Sequence, residues 1–125
     1  LKDSTLNSAD DTGLDVPQQI GMVALDAPLT APDGSRSWLI RQLGGGFACL
    51  VTGDANLDDA AVPKGVELVR IGAGGFADAE GKLAERYGSA VYLVRPDQHV
   101  AARWTAPDAA DIAAAMACCT ARVAA

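Results

Sequence analysis

The stretch Tyr87–Trp104, "YGSAVYLVRPDQHVAARW", constrains the fold more than any other part of the chain. Two runs rich in β-branched and aromatic residues, Val91–Val94 and Val100–Trp104, flank Pro96, Asp97 and Gln98. This pattern predicts two antiparallel strands joined by a three-residue loop. A type I turn puts Pro96 at its favoured position and leaves Gln98 in the left-handed region. In that register Arg95 faces His99, Val94 faces Val100, Tyr92 faces Ala102 and Val91 faces Arg103. One face then carries Tyr92, Val94, Val100, Ala102 and Trp104. The other carries Val91, Leu93 and Ala101, with Arg95, His99 and Arg103 toward its ends. Both faces are apolar in the middle, so layers must cover the hairpin on both sides.

The rest of the chain supplies those layers. "FACLVTG" (47–53) is a continuous apolar run between turn signals, as in a central strand, and "VELVRIG" (66–72) is a second strand. "SRSWLIRQLGGG" (35–46) predicts a short helix, capped by Ser35 and stopped by Gly44–Gly46. "DANLDDAAV" (54–62) is a weak helix or loop, and "DAEGKLAERYG" (78–88) is a helix ended by Gly88. After the hairpin, "TAPDAADIAAAMACCTARVAA" (105–125) is a helix with Thr105 as its expected cap. Ile112, Met116, Cys119 and Val123 recur along its expected buried face. The order predicts an α/β fold with a mixed sheet and helices on both faces. Residues 1–19 are polar, lack an apolar period and read as a linker or surface-hugging arm, which leaves 20–125 as the folded domain.

Totals narrow the function. A length of 125 residues suits one domain, and with half of them hydrophobic a core forms without staples. A net charge of −6 argues against a nucleic-acid or anionic-membrane partner. No apolar run approaches the roughly 20 residues of a membrane span. Cys49, Cys118 and Cys119 have neither disulfide nor metal spacing, and a reducing cytoplasm is the simplest home. The chain opens on Leu1, which leads us to expect a piece of a longer protein.

Few residues advertise chemistry. His99, the only histidine, falls beside the hairpin turn. A catalytic base there would need an orienting partner, and the bland reading is a solvated rim histidine. Gly72, Gly74 and Ala77 fit the dinucleotide pattern between a strand and a helix. Asp78 and Glu80, however, would crowd a pyrophosphate at that helix start, and the bland reading is a glycine-rich loop. The cysteines lack the positive surroundings of a reactive thiolate. Asp54, Asp58 and Asp59 follow the central strand, but they lack further ligands for a metal.

The element order resembles a thioredoxin-like fold of the peroxiredoxin-type layout. In that superfamily the reactive cysteine follows the first central strand, where this chain has "TGDANLDD" (52–59) and no cysteine. Fold likeness alone therefore does not carry redox chemistry over. A closer resemblance lies in "PDGSRSWLIRQLGGGFACLVTGD", "VELVRIGAGG" and "ERYGSAVYLVRPDQHVAARW", followed by an Ala-rich helix. Over roughly residues 20–120 these segments resemble the C-terminal domain of FAD-dependent aromatic-ring hydroxylases of the phenol hydroxylase and hydroxyphenylpropionate hydroxylase type. The resemblance implies a parent that uses NAD(P)H to reduce FAD and inserts one oxygen atom of O₂ into a phenolic ring. It implies no catalytic, cofactor-binding or metal residue here, since FAD, nicotinamide and substrate are held by preceding domains. It implies docking against the FAD-binding and substrate domains, or a homodimer contact. By residue type Trp38, Arg95, Arg103 and Trp104 are the candidate anchors, with core packing or solvent as their bland alternative. A stand-alone thioredoxin- or peroxiredoxin-like redox domain and a small dinucleotide-binding module are the competing readings.

Overall fold

A computed structural model of the chain describes residues 12, 14–43, 45–72 and 75–124, with residues 120–124 as backbone only. Strands β3 (Ala48–Val51), β4 (Glu67–Arg70), β6 (Val91–Val94) and β7 (Val100–Trp104) form a four-stranded sheet in the order β4-β3-β6-β7. β3 and β4 run parallel, and β6 and β7 are antiparallel to their neighbours. Parallel neighbours followed by a closing antiparallel hairpin make the thioredoxin-like mixed sheet. A second sheet, β2-β1-β5, joins β1 (Pro28–Thr30), β2 (Arg36–Trp38) and β5 (Ala77–Asp78). Helix α1 (Lys82–Tyr87) lies beside it. Helix α2 (Ala109–Ala124) contacts β7 and the 3-10 turn Asp59–Ala61.

All residues of β3 and β6 are buried, because both strands are covered on both faces. One apolar cluster holds Leu50, Tyr92, Val94 and Val100 against Leu29, Leu39, Leu83 and Tyr87. The other holds Cys49, Val51, Val91 and Leu93 against Leu57, Trp104 and Ile112. Each large side chain so buried contributes about 1.5–3 kcal/mol. The Tyr87 and Tyr92 rings meet edge to face at 5.1 Å. Tyr92 donates its hydroxyl to the Tyr87 carbonyl, and Tyr87 donates to Leu25 O at 2.5 Å.

The hairpin turn forms as its sequence dictates. Gln98 takes φ 68°, Gln98 N donates to Arg95 O, and Arg95 N donates to His99 O. Val94 pairs with Val100, but beyond the turn the register slips by one. Leu93 opposes Ala102, Tyr92 opposes Arg103 and Val91 opposes Trp104. Ala101 is the extra residue of a β-bulge, which strict alternation does not foresee. The bulge turns Ala102 and Trp104 onto the face of Val91 and Leu93, and it sends Arg103 to the other side.

Two more expectations are corrected. The helix expected from Ser35 is the strand Arg36–Trp38 followed by a 3-10 turn, Leu39–Gln42. The Asp33 carboxylate accepts Ser35 N and Ser35 Oγ, so this hydroxyl closes the Pro32–Gly34 turn rather than capping a helix. Arg36 stacks over Trp38 at 5.3 Å, a same-face i,i+2 contact that only a strand allows. The last helix begins at Ala109, not at Thr105. Asp108 accepts Asp111 N at 2.9 Å while Asp111 accepts Asp108 N at 3.0 Å, a reciprocal cap. On its expected buried face Ile112 is fully buried and Met116 and Cys119 are half-buried, while the Val123 side chain lies outside the described residues. Replacement Asp108→Ala removes one arm of this cap. It is expected to cost about 1 kcal/mol in a urea melt, with Asp108→Ser recovering most of it.

Candidate functional site

The carboxyl end of β3 is where the thioredoxin-like layout places reactive groups. Here it carries Thr52, Gly53 and Asp54, and all three engage the segment Gly88–Ala90. Buried Thr52 donates its hydroxyl to Gly88 O at 2.7 Å and accepts Ala90 N at 3.0 Å. Thr52 N donates to Ala90 O, and Asp54 N donates to Ser89 Oγ at 3.2 Å. Gly53 has φ +60°, and a Cβ there would fall 2.0 Å from Ser89 Oγ. The loop is therefore a polar clasp that ties β3 to the start of β6. Thr52 is wholly enclosed, and its hydroxyl is committed to backbone groups.

The thiols lie elsewhere. Cys49 sits in β3 with no exposed surface, and burial pushes its thiol up to about 11. It stays protonated near neutrality, the opposite of an activated thiolate. Cys118 is exposed and Cys119 half-buried, both late in α2. The dinucleotide pattern does not assemble either. Gly74 lies outside the described residues, while Ala77 begins a strand paired with Thr30 rather than a helix. The N-terminus of α1 is taken by the chain's own anion: the Asp78 carboxylate accepts Leu83 N at 3.1 Å and Ala84 N at 2.9 Å. A pyrophosphate approaching that helix would meet this carboxylate.

At the opposite end of the sheet, the hairpin rim gathers Arg95, Asp97 and His99. Arg95 donates to Asp97 at 2.5 Å, and His99 Nδ1 lies 3.4 Å from the same carboxylate. Desolvation raises the Asp97 pKa, but the His99 backbone N–H and the Arg95 guanidinium together outweigh it and hold the carboxyl below its usual value. The His99 side chain is 44% exposed. Asp58 caps the Asp59–Ala61 turn through Ala60 N. Asp59 pairs with Arg70, and Arg70 also donates to Leu57 O. Among the described residues no group of three His, Cys, Asp or Glu could hold a metal, and no helix is long and apolar enough to cross a membrane.

The four anchor candidates separate into two pairs. Trp38 and Arg95 are partly exposed. Trp104 and Arg103 are 3% and 1% exposed and belong to the interior, a consequence of the Ala101 bulge. Arg103 donates to Leu14 O at 2.7 Å, Gln18 O at 2.9 Å and Gln19 Oε1 at 3.2 Å. Met22, Val23 and Ile40 are the exposed large hydrophobic residues among those described. Sequence reasoning missed them, because nothing in the composition marks three apolar residues that the fold leaves outside. Gln98 ties their segments together: its backbone carbonyl accepts Ala24 N and its side chain donates to Ile40 O.

The decisive comparison is at the level of the family. The profile described as "Aromatic-ring hydroxylase, C-terminal" matches residues 18–122. The chain belongs to this family. Among solved structures it is similar to the flavin-dependent monooxygenase PieE, determined in complex with FAD and substrate, at 27% identity and a TM-score of 0.62. That match covers 82% of this chain and 21% of PieE. It is also similar to aklavinone-11 hydroxylase, determined with FAD and aklavinone, at 26% identity and a TM-score of 0.56, over 82% of this chain and 23% of that one. The chain thus spans about a fifth of the length of these monooxygenases. No protein with a curated description matches it.

Two outcomes check this geometry. Gly53→Ala should destabilise the fold by about 1–2 kcal/mol for the left-handed backbone, with a further loss from overlap with Ser89. Adding Ser89→Gly should recover only the overlap share, as read from urea midpoints. Cys49 adds a pH dependence: the unfolded thiol releases its proton near pH 8.5, whereas the folded one holds it to about 11. The contribution is fully present below the unfolded pKa and falls as pH rises through that window. Cys49→Ala should flatten the decline in melting temperature.

Proposed function

We propose that this chain is the terminal, non-catalytic domain of a cytoplasmic FAD- and NAD(P)H-dependent monooxygenase that hydroxylates phenolic compounds. In this reading it docks on the FAD-binding and substrate domains of the longer protein. The family match over residues 18–122 carries the reading, and the two FAD-dependent relatives, each several times longer than the matched region, support it. The chain's own residues favour a structural role. The position after β3 is a backbone clasp, the α1 terminus is closed by Asp78, and the buried thiol of Cys49 is held protonated. FAD and the nicotinamide are therefore assigned to the remainder of the protein. That remainder would reduce the flavin with NAD(P)H and place one oxygen atom of O₂ on the ring, the other leaving as water.

Docking would use the partly exposed Trp38 and Arg95 together with the apolar trio Met22, Val23 and Ile40. The occupant would be the rest of the same chain, since the family description makes this the C-terminal portion. An apolar patch with a charged rim suits a contact between domains.

The test compares the 125-residue chain with the complete protein encoded around it. The complete protein should purify yellow and oxidise NAD(P)H in response to a phenol, while the short chain should be colourless and inert. Stoichiometric flavin on the short chain, or a complete protein without flavin, would overturn the assignment.

A further inference from the structure

The segment Leu14–Leu25 is held in a way that sets it apart from the rest of the fold. We propose that it is a clip, locked by Arg103, which covers the start of the outer edge of β7 and opens without unfolding the domain. Its use as the seat for preceding protein rests on the reading above, whereas its opening does not.

The clip meets the start of β7 through its backbone and the later part of β7 through the Arg103 side chain. Near Arg103, Leu14 and Val16 lie against Gly88, where a Cβ would meet Val16 Cγ1 at 3.3 Å and Leu14 Cδ1 at 3.4 Å. At the other end Gly21 N donates to Val100 O, Val100 N donates to Met22 O, and Val23 bridges His99. Unpaired strand edges invite other strands, and this contact covers the start of the edge that β7 would present.

What fastens the clip is mostly polar. The planar guanidinium of Arg103 reaches three neutral oxygens on it, which fixes direction as well as distance. Gln18, wholly buried, accepts Leu25 N at 2.6 Å and donates to Val23 O at 3.3 Å. Gln19 donates to Val16 O at 2.7 Å. The apolar share is smaller: Ala24 is buried in the core, Leu14, Ile20 and Leu25 pack against it only partly buried, and Met22 and Val23 are exposed. Segments with few buried apolar contacts open locally at low cost. On opening, water can take over the oxygens that Arg103 binds, and the clusters on both faces of the sheet keep their other members.

Amide hydrogen exchange on the intact 125-residue chain tests this. The amides of Gln18, Gly21, Ala24 and Leu25 report on the clip, and those of Thr52 and Ile71, bonded to Ala90 O and Val51 O, report on the sheet. The clip amides should exchange at least about tenfold faster than the sheet amides in the native chain. Arg103→Lys should accelerate the clip tenfold or more and the sheet less than about twofold. Gln19→Ala, which leaves Arg103 in place, should accelerate the clip to a smaller extent and provides the reading should Arg103→Lys fail to fold. Clip and sheet amides exchanging at one common rate in the native chain, or variants that speed both equally, would overturn the proposal. Neither result touches the flavin assignment, which stands or falls on the complete protein.

Discussion

The guanidinium of Arg103 is the group around which the rest of this structure is arranged. Withdrawing a charge from water costs several kcal/mol unless oriented oxygens replace the solvent. Here the backbone of Leu14 and Gln18 and the amide of Gln19 provide them. To reach them, β7 must deliver the side chain to the side that holds Tyr87 and Tyr92, and the Ala101 bulge does so. Without the extra residue, regular alternation would direct the charge among Leu57, Ile112 and Val91, and would move Trp104 out of that cluster. The bulge, the path of the N-terminal segment and the placement of Trp104 therefore follow from one buried cation.

The sheet was legible where the pattern is local and strong. Ala48–Val51 and Val91–Val94 read as covered strands because every residue in them is apolar or aromatic, and the Pro-Asp turn imposed its geometry on Gln98. The slip after Val100 was not legible, because a bulge serves a distant partner and Ala101 carries no mark of it. Ser35 misled for the opposite reason: its hydroxyl suits a helix cap and a turn equally, and Asp33, two residues earlier, claims it. The start of the last helix was recoverable, since Asp108 and Asp111 have capping-box spacing, but Thr105 drew attention first. Of the site, the absence of a cysteine after β3 was visible. The enclosure of Thr52 was not, because it depends on Gly88 and Ala90, more than thirty residues away.

Two loop ends of this domain are fastened by polar groups. The mixed sheet turns the end of β3 toward the start of β6. This chain fills that place with a threonine hydroxyl bonded to backbone, and the Asp78 carboxylate occupies the start of α1. Both use polar groups to fasten loops and so add rigidity.

The contact between Arg103 and Leu14 also has a consequence in time. The two residues lie 89 positions apart. During synthesis at about 5–20 residues per second, the N-terminal segment waits on the order of 5–20 s for the cation that orients it. Over that interval its glutamines and leucines have only water or earlier-made protein to meet. The order of emergence from the ribosome thus runs opposite to the order of dependence in the finished fold, and the part of this domain made first is among the last to be fixed.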